Sequence, residues 1–472
     1  MNNISKKKSP YQVLMWIFPI LFLIDNVLGV NGYQFTVFGK SIRIILFSIS
    51  VILLFTYCLA VMVKDKISLF NNKRSDNTLW KLLRPFDYFV LFFILGNLLW
   101  ATVIPYIVRG DTAFSLKDFS TLLVLILYFP IVFLFRTHRF DFKMFEKILY
   151  VLLVILALWH CVMYIGERIS HGFYESYYDF IDYISLGTAV RSQVVYGYGI
   201  VRVIQTTSIL LLPGIFMCLR YLVKGKWYHI VFLFVFTFAI CVTYTKSIWF
   251  GYLAGLIVYL CFCIFNKKQN QQQYRSMIVL PISVIMIVVL NFSVFNNSIF
   301  ERAVNMVRSQ QSIEKIQEDI NQAIINNIGT TEANEKLKDA LGTQQSNNLR
   351  SMQNNELLNK WKNSKWFGFG YGSYAEKCIR NEQFPYMYES TLPALIMKLG
   401  IIGCLMWAVF IFATTVCAIK MFWKTERNSL FFWLATAFSY ALSVQTNPFL
   451  FTFAGISILL YVLLFVQCKT ES

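Results

Sequence analysis

Four charged side chains at the edges of apolar segments are the residues of this sequence best suited to chemistry: Arg202, Lys246, Arg350 and Glu389. A charge placed in or beside lipid is costly and is therefore a functional candidate. Arginine and lysine can neutralise a diphosphate and stabilise it as a leaving group. A carboxylate can accept a proton from an attacking hydroxyl group, so Glu389 is a candidate general base.

Arg202 and Lys246 also allow a simpler interpretation. Each could only anchor the end of a helix at the lipid headgroups, as basic side chains commonly do. The four charges can act together only if they lie on the same side of a membrane and at a similar depth. The elements that carry them therefore decide between the two interpretations.

The composition is that of a membrane protein. Of the 472 residues, 57% are hydrophobic and 14% are charged, whereas a soluble domain carries about 25% charged residues. About twelve apolar runs are long enough to span a bilayer. They lie near 11–28, 42–63, 86–108, 119–135, 146–165, 201–222, 228–245, 247–265, 277–295, 391–420, 430–446 and 449–467. The run at 391–420 is long enough to be bent or partly re-entrant.

Lysine and arginine are concentrated in alternate loops, which predicts the orientation of the chain. With both termini in the cytoplasm, the basic clusters all fall on the cytoplasmic side. They lie within 6–8, 64–84, 136–147, 220–226, 267–275 and 420–427. The formal charge of +18 is spread over these short loops and does not indicate a nucleic-acid partner. In this orientation all four candidate charges lie on the outer side.

The predicted domain organisation follows from the longest polar segment. Residues 1–295 form nine spans with a smaller outer loop at 166–200, residues 296–388 form a large extracytoplasmic loop, and residues 389–472 form three more spans. The predicted fold is an all-α integral membrane protein. Apolar residues at helical spacing predict amphipathic helices in the large loop, at 300–325 and 348–362.

A short run at 366–372 (WFGFGYG) has glycine at every second position, namely Gly368, Gly370 and Gly372. It lacks the lysine and the following helix of a phosphate-binding P-loop. Glycine would allow the backbone to approach a substrate or to make a tight turn before the membrane. A purely structural turn explains the run at least as well.

Several chemistries are disfavoured by what the outer segments lack. Of the four histidines, only His171 lies on the outer side, so a histidine metal cluster is not available there. No DxD pair occurs in the outer segments, and nucleotide sugars are cytoplasmic. We therefore expect a metal-independent reaction with a lipid-linked donor and without a cofactor.

Four segments, in this order, resemble landmarks of the O-antigen polymerase/ligase superfamily, which includes the Wzy-type polymerases. The first two are RVIQT at 202–206 and TYTKS at 243–247, where lysine replaces the arginine of the family pattern. The third is Arg350 followed by Trp361 and the glycine run. The fourth is ESTL, beginning at Glu389, followed by GIIG at 400–403. The resemblance covers roughly residues 200–460.

Glu389 stands where the ligases of this superfamily carry a histidine, a departure that favours a polymerase. The resemblance implies a GT-C-like helical bundle in a bacterial inner membrane, with its active site at the outer face. It also implies that Arg202, Lys246 and Arg350 bind diphosphates and that Glu389 is the base. Nearby accessory residues would be Arg380 and Lys398, together with the three glycines.

By the same resemblance, donor and acceptor are undecaprenyl-diphosphate-linked oligosaccharides. The product is a surface polysaccharide such as O-antigen, capsule or exopolysaccharide. A chain-length regulator and a flippase of the same pathway are expected partners. One alternative is a ligase that transfers glycan to lipid A core or to protein. A flippase or transporter is an alternative of another class, although such proteins more often have short loops on both sides and charges at mid-bilayer.

Overall fold

A computed structural model describes most of the chain, and every structural statement below concerns the part that it describes. The described residues are 36–37, 40–67, 82–184, 193–197, 200–265, 271–295, 300, 348–379, 382, 384–425, 427–445 and 447–468. The predicted first span at 11–28 and the predicted amphipathic helix at 300–325 lie outside them, apart from residue 300.

The first half of the described chain is mostly helical. In chain order its helices are α1 (Ile42–Lys64), α2 (Pro85–Arg109), α3 (Ser115–Phe119), α4 (Tyr128–Arg136), α5 (Phe142–Ile169) and α6 (Phe173–Ile184). A 3-10 segment, Ser120–Leu127, joins α3 to α4. Short antiparallel hairpins interrupt this order, β1 (Thr36–Val37) with β2 (Lys40–Ser41) and β3 (Gln193–Gly197) with β4 (Ile200–Ile204).

The second half of the described chain continues in the same way. Its helices are α7 (Leu211–Val223), α8 (Ile230–Val242), α9 (Lys246–Phe265), α10 (Gln271–Ser293), α11 (348–361), α12 (Thr391–Thr425), α13 (Arg427–Ser443) and α14 (Phe453–Cys468). Short 3-10 segments precede α7, α8 and α14, at Thr206–Leu210, Trp227–His229 and Pro448–Phe451, and another lies at Glu376–Cys378.

Six helical segments of the described chain are long and apolar enough to cross a membrane: Phe47–Lys64, Pro85–Arg109, Ser115–Arg136, Phe142–Ile169, Thr206–Val223 and Thr391–Trp423. Shorter apolar helices lie at Trp227–Val242, Lys246–Cys261, Ile278–Ser293, Ser429–Ser443 and Phe453–Cys468. Their outer faces remain apolar, since on α2 both Phe92 and Ile107 are exposed whereas Phe93 is buried. The prediction of a helical membrane protein is confirmed.

The segment around Arg202 differs from the prediction, because Arg202 does not start a helix. It lies on strand β4, opposite Val195 of β3, and helical structure begins only after Gln205. Side chains along β4 alternate, with Val201 and Val203 buried and Arg202 partly exposed. A run of β-branched residues with this two-residue period favours a strand over a helix.

Helix α12 is broken near its beginning, which confirms the predicted bend in the 391–420 run. Gly400 has φ 63° and ψ −169°, a conformation that is not helical. The free backbone groups beside the break pair with the segment that contains the glycine run. Phe369 and Gly370 donate their N–H groups to the carbonyl oxygens of Met397 and Lys398, at 3.0 and 2.7 Å. The extended segment thus completes the hydrogen bonding that the helix loses.

Helix α11 confirms the predicted helix at 348–362, but the apolar residues Leu349 and Met352 are exposed. The buried positions are Gln353 and Leu357, one turn apart. Leu357 packs in a small core beneath the helix, which also contains Ala375, Tyr388, Ala394 and Met397. This core attaches the described part of the large loop to the first turns of α12.

Candidate active site

Arg350 and Glu389, two of the predicted site residues, form an ion pair. The Arg350 Nε donates a hydrogen bond of 2.5 Å to the Glu389 Oε2. Both side chains are partly exposed, at 38% and 21%. The carboxylate is therefore oriented by a cation and remains accessible to a ligand.

The position of Glu389 is fixed by Thr391, the first residue of α12. The Thr391 hydroxyl donates to the carbonyl oxygen of Val444, and the Thr391 N–H donates to the carbonyl oxygen of Gln445 at 3.2 Å. Both acceptors lie in the linker between α13 and α14. The carboxylate is thus two residues away from a firmly bonded helix start.

Arg202 binds the tight turn that precedes Lys246. Its Nε donates to the carbonyl oxygen of Thr243 at 3.0 Å, and its Nη2 lies 3.4 Å from the Thr245 Oγ1. The backbone of Tyr244 in this turn has φ 45°, a conformation that is uncommon for a residue other than glycine. The guanidinium group therefore supports a strained turn at the start of α9.

The linker between α13 and α14 connects the two pairs of charges. The side-chain amide of Asn447 in this linker donates to the Ser247 hydroxyl, and the hydroxyl of Ser443, the last residue of α13, donates to the carbonyl oxygen of Ser247 at 2.9 Å. Since Ser247 follows Lys246 and the same linker binds Thr391, all four predicted charges lie at one end of the helical bundle. They form two adjacent groups: Arg202 lies with the turn that precedes Lys246, and Arg350 lies with Glu389.

A cavity of about 290 Å³ lies beside Arg350. Its lining residues are Leu349, Arg350, Met352, Gln353, Lys377, Cys378 and Ile379. Two cations at the wall suit a ligand with negative charge. Burial raises the pKa of the Cys378 thiol, and Glu356 nearby acts in the same direction. This thiol is therefore a poor nucleophile at neutral pH.

Residues 230–408 match the model of the O-antigen ligase family. This match confirms the resemblance to the O-antigen polymerase/ligase superfamily and indicates a function of that type in polysaccharide biosynthesis. It extends from the start of α8 into α12, and so contains Lys246, Arg350 and Glu389, whereas Arg202 precedes it. No curated protein and no solved structure matches the chain.

Lys398 also lies within the matched segment, but its described ion pair is with Asp118 and not with Glu389. Its Nζ is 2.7 Å from the Asp118 Oδ2, and both side chains are 1% exposed. The Phe451 ring centroid is 4.5 Å from the Lys398 Nζ. Removing one partner of such a buried pair typically costs about 3–5 kcal/mol, because the other charge is left uncompensated. The pair holds α12 against α3.

The three glycines of the run lie against protein backbone or proline. A Cβ atom added to Gly368, Gly370 or Gly372 would be within 2.5 Å of the Lys398 carbonyl, the Pro105 ring or the Ser115 nitrogen, respectively. All three have positive φ, between 66° and 78°. These contacts give the glycines a structural role between α2, α3 and the break in α12.

Arg380 lies outside the described residues. Among those described, no group of three histidine, cysteine, aspartate or glutamate side chains is arranged to hold a metal ion. Asp118 was missed by sequence reasoning, because a carboxylate next to an apolar run gives no indication of a partner 280 positions further along the chain.

Proposed function

We propose that this protein is a membrane glycosyltransferase that polymerises a surface polysaccharide. It transfers a growing glycan from undecaprenyl diphosphate onto the next lipid-linked repeat unit. The observation that carries the proposal is the ion pair between Arg350 and Glu389. The linker between α13 and α14 places this pair beside the turn that Arg202 binds and that leads into Lys246. A base and diphosphate-binding cations at one end of a membrane bundle match the needs of this reaction.

In the proposed reaction a sugar hydroxyl of the acceptor attacks the anomeric carbon of the donor. Glu389 accepts the hydroxyl proton as the new C–O bond forms. The bond between the anomeric carbon and the diphosphate oxygen breaks, and undecaprenyl diphosphate departs with the electron pair. Arg202 and Lys246 stabilise the negative charge that develops on this leaving group.

Arg350 has two contributions in this scheme. Its Nε holds the carboxylate of Glu389 in position, and its guanidinium group lines the cavity that also contains Lys377. This cavity is the proposed place of the acceptor, whose own diphosphate requires cations. An acceptor bound there would present its sugar next to the base.

The proposal includes a metal-independent mechanism, because protein cations neutralise the leaving group where other glycosyltransferases use a metal ion. Chain growth should therefore persist in the presence of a chelator. We also propose twelve spans in a GT-C-like bundle in a bacterial inner membrane, with both termini cytoplasmic. The four charges then face the extracytoplasmic side, where lipid-linked repeat units are presented.

A ligase is the second candidate, and the match to the O-antigen ligase family supports it. Such an enzyme would transfer finished glycan to lipid A core or to protein. The carboxylate at position 389 favours the polymerase, because the ligases of the superfamily carry histidine there. The two activities share a donor and differ only in the acceptor.

Purified protein in lipid nanodiscs, supplied with a single lipid-linked repeat unit, tests the proposal. The polymerase predicts a ladder of products that are longer by whole repeat units, without a flippase or a chain-length regulator. Products that appear only after lipid A core is added would establish the ligase instead. Absence of any transfer with intact, inserted protein would contradict both.

A further inference from the structure

His160 is a completely buried histidine in α5, a helix that is long and apolar enough to cross a membrane. It lies about two and a half turns before the end of this helix. Its Nδ1 is 2.8 Å from the carbonyl oxygen of Leu156, and its Nε2 is 2.9 Å from the Ser208 Oγ. An ionisable side chain inside a membrane segment is a functional candidate, and its partner indicates the function. The partner Ser208 belongs to the 3-10 segment Thr206–Leu210, which follows strand β4.

The directions of the hydrogen bonds around His160 follow from the chemistry of the groups. A carbonyl oxygen can only accept, so the Nδ1 carries a hydrogen and donates it to Leu156. In the neutral imidazole the Nε2 is then the acceptor, and the Ser208 hydroxyl donates to it. The Ser208 Oγ accepts in turn from the N–H of Gln205 at 3.0 Å. Three bonds therefore connect Gln205, directly after β4, to the backbone of α5.

Strand β4 carries Arg202 and packs against α5 and α8. Val201 and Val203 are buried, and Arg202 between them has its side chain on the opposite side of the strand. This side chain reaches the turn before Lys246 through hydrogen bonds, which weaken steeply when their alignment is poor. The place at which Gln205 is fixed therefore determines where the Arg202 guanidinium group lies.

We propose that His160 is a positioning residue for Arg202. By holding the end of β4 against α5, its ring places the Arg202 guanidinium group at the turn that leads into Lys246. The inference rests on the proposed function, because that function gives Arg202 a role in stabilising the diphosphate leaving group. It adds to the site a residue of α5, a helix that lies outside the segment 230–408 matched by the O-antigen ligase family.

A buried histidine could instead contribute only to packing and stability. A substitution of such a residue changes the amount of folded, inserted protein, and the change does not depend on which side chain stands at position 202. A positioning residue acts through the Arg202 guanidinium group, so its effect on the reaction depends on that group. The two roles therefore differ in the rate per folded molecule and in the energetic coupling with position 202.

Two substitutions of His160 separate its two hydrogen bonds. The amide of glutamine reaches the position of Nε2 and can keep the bond to Ser208, whereas the shorter asparagine reaches only the position of Nδ1 and the bond to Leu156. His160→Asn should lower kcat for chain growth by about 3- to 10-fold, the equivalent of one lost hydrogen bond. His160→Gln should remain close to the parent. The KM for the acceptor should not change, because Arg202 acts on the leaving group.

Ser208→Ala removes the same bond from the other partner and is the second variant if His160→Asn fails to insert. It should lower kcat to a similar extent. Ser283→Ala is the matched control, since Ser283 is also completely buried and its hydroxyl donates to the carbonyl oxygen of Val279, in its own helix, at 2.9 Å. This control should have the kcat of the parent. Equal kcat values for His160→Asn and His160→Gln, or for Ser208→Ala and the parent, would overturn the proposal.

A double-mutant cycle in nanodiscs measures the dependence on Arg202, with kcat expressed per inserted molecule. The Arg202→Lys protein already lacks the guanidinium group, so adding His160→Asn should change its kcat by less than about twofold. A further loss as large as that in the parent background would show that His160 acts independently of Arg202. This result would contradict the positioning role and leave the proposed function intact. A parent protein that transfers no glycan would instead remove the proposed function, and this inference with it.

Discussion

The Arg350 Nε and the Glu389 Oε2 are 2.5 Å apart, although 39 positions separate the two residues in the chain. Helix α11 carries the arginine, and the start of α12 carries the carboxylate. The small core beneath α11 keeps these two elements together. An oriented, partly exposed carboxylate at this point is the feature from which the proposed chemistry follows.

Replacing Arg350 by methionine should reduce chain growth by about 10- to 100-fold. The substitution removes a charge-assisted hydrogen bond from the base and a cation from the acceptor cavity, and such bonds contribute about 1.5–3 kcal/mol. Rates are measured in nanodiscs with purified lipid-linked repeat units. Lys362→Met, an exposed change just after α11, is the control and should leave the rate unchanged. Equal rates for both variants would remove Arg350 from the mechanism.

Lys246 and Arg202 should differ in how well they tolerate replacement by the other basic residue. Lys246→Arg should retain most of the activity, since the role requires only a cation at this position. Arg202→Lys should lose about tenfold, because an ammonium group cannot reproduce the geometry in which a planar guanidinium contacts Thr243 and Thr245 together. The measurement is the rate of chain growth at saturating acceptor. An inactive Lys246→Arg protein would contradict the role assigned to Lys246.

Glycine-to-alanine exchanges should separate a packing requirement from simple backbone strain. Gly110 and Gly368 both have positive φ, but an added Cβ meets nothing within 4 Å at Gly110 and backbone atoms at 2.5 Å at Gly368. Gly110→Ala should cost only about 1–2 kcal/mol of left-handed strain. Gly368→Ala should cost about 2–5 kcal/mol in total because the clash is added. Thermal unfolding in detergent measures both, and equal losses would argue against tight packing at Gly368.

Lys360 should make the free energy of unfolding depend on pH in the alkaline range. Its Nζ donates to the carbonyl oxygen of Tyr374 at 2.5 Å. Burial lowers the pKa of Lys360 from its ordinary 10.5, and Arg109 also lowers it, while Glu376 and Asp111 act in the opposite direction. Between the lowered folded value and 10.5, the unfolded chain binds more protons than the folded protein. The free energy of unfolding should therefore rise with pH in this window.

Thermal unfolding in detergent across the pH range below 10.5 measures this effect. The parent should gain stability relative to Lys360→Met as the pH rises. The control Lys362→Met carries an exposed substitution in the same region and should follow the parent. A parent that loses stability relative to Lys360→Met over this range would contradict the stated direction of the pKa change.

Much of the helical architecture could be predicted from the sequence, because an apolar run long enough to span a bilayer indicates a transmembrane helix. The break at Gly400 was predictable as a bend, since the run at 391–420 exceeds the thickness of a bilayer. The strand at Arg202 was not predicted. The β-branched residues favour a strand, but they continue directly into the apolar run predicted as the span at 201–222, and the pairing with β3 that ends the span earlier is not visible in the sequence.

The candidate site shows the same division. Charges at the edges of apolar runs were identifiable one by one, because their cost beside lipid makes them conspicuous. Their ion-pair partners could not be identified in the same way. The pairing of Glu389 with Arg350, and of Lys398 with Asp118, depends on how segments distant in the chain pack together. The face of α11 was also misjudged. Gln353 is buried and Leu349 is exposed, because this helix packs on the loop's own small core and lines a cavity.

The most direct test of the account is the rate of chain growth by the Glu389→Gln protein, compared with the parent and with Glu382→Gln. Glu382 lies in the large loop shortly before Glu389 and is exposed, so its substitution removes an equal charge without touching the proposed base. General-base catalysis contributes about 10²–10⁴-fold. We predict a loss of at least about 100-fold for Glu389→Gln, in folded and inserted protein, and a normal rate for Glu382→Gln. Near-normal polymer from the Glu389→Gln protein would contradict the central claim.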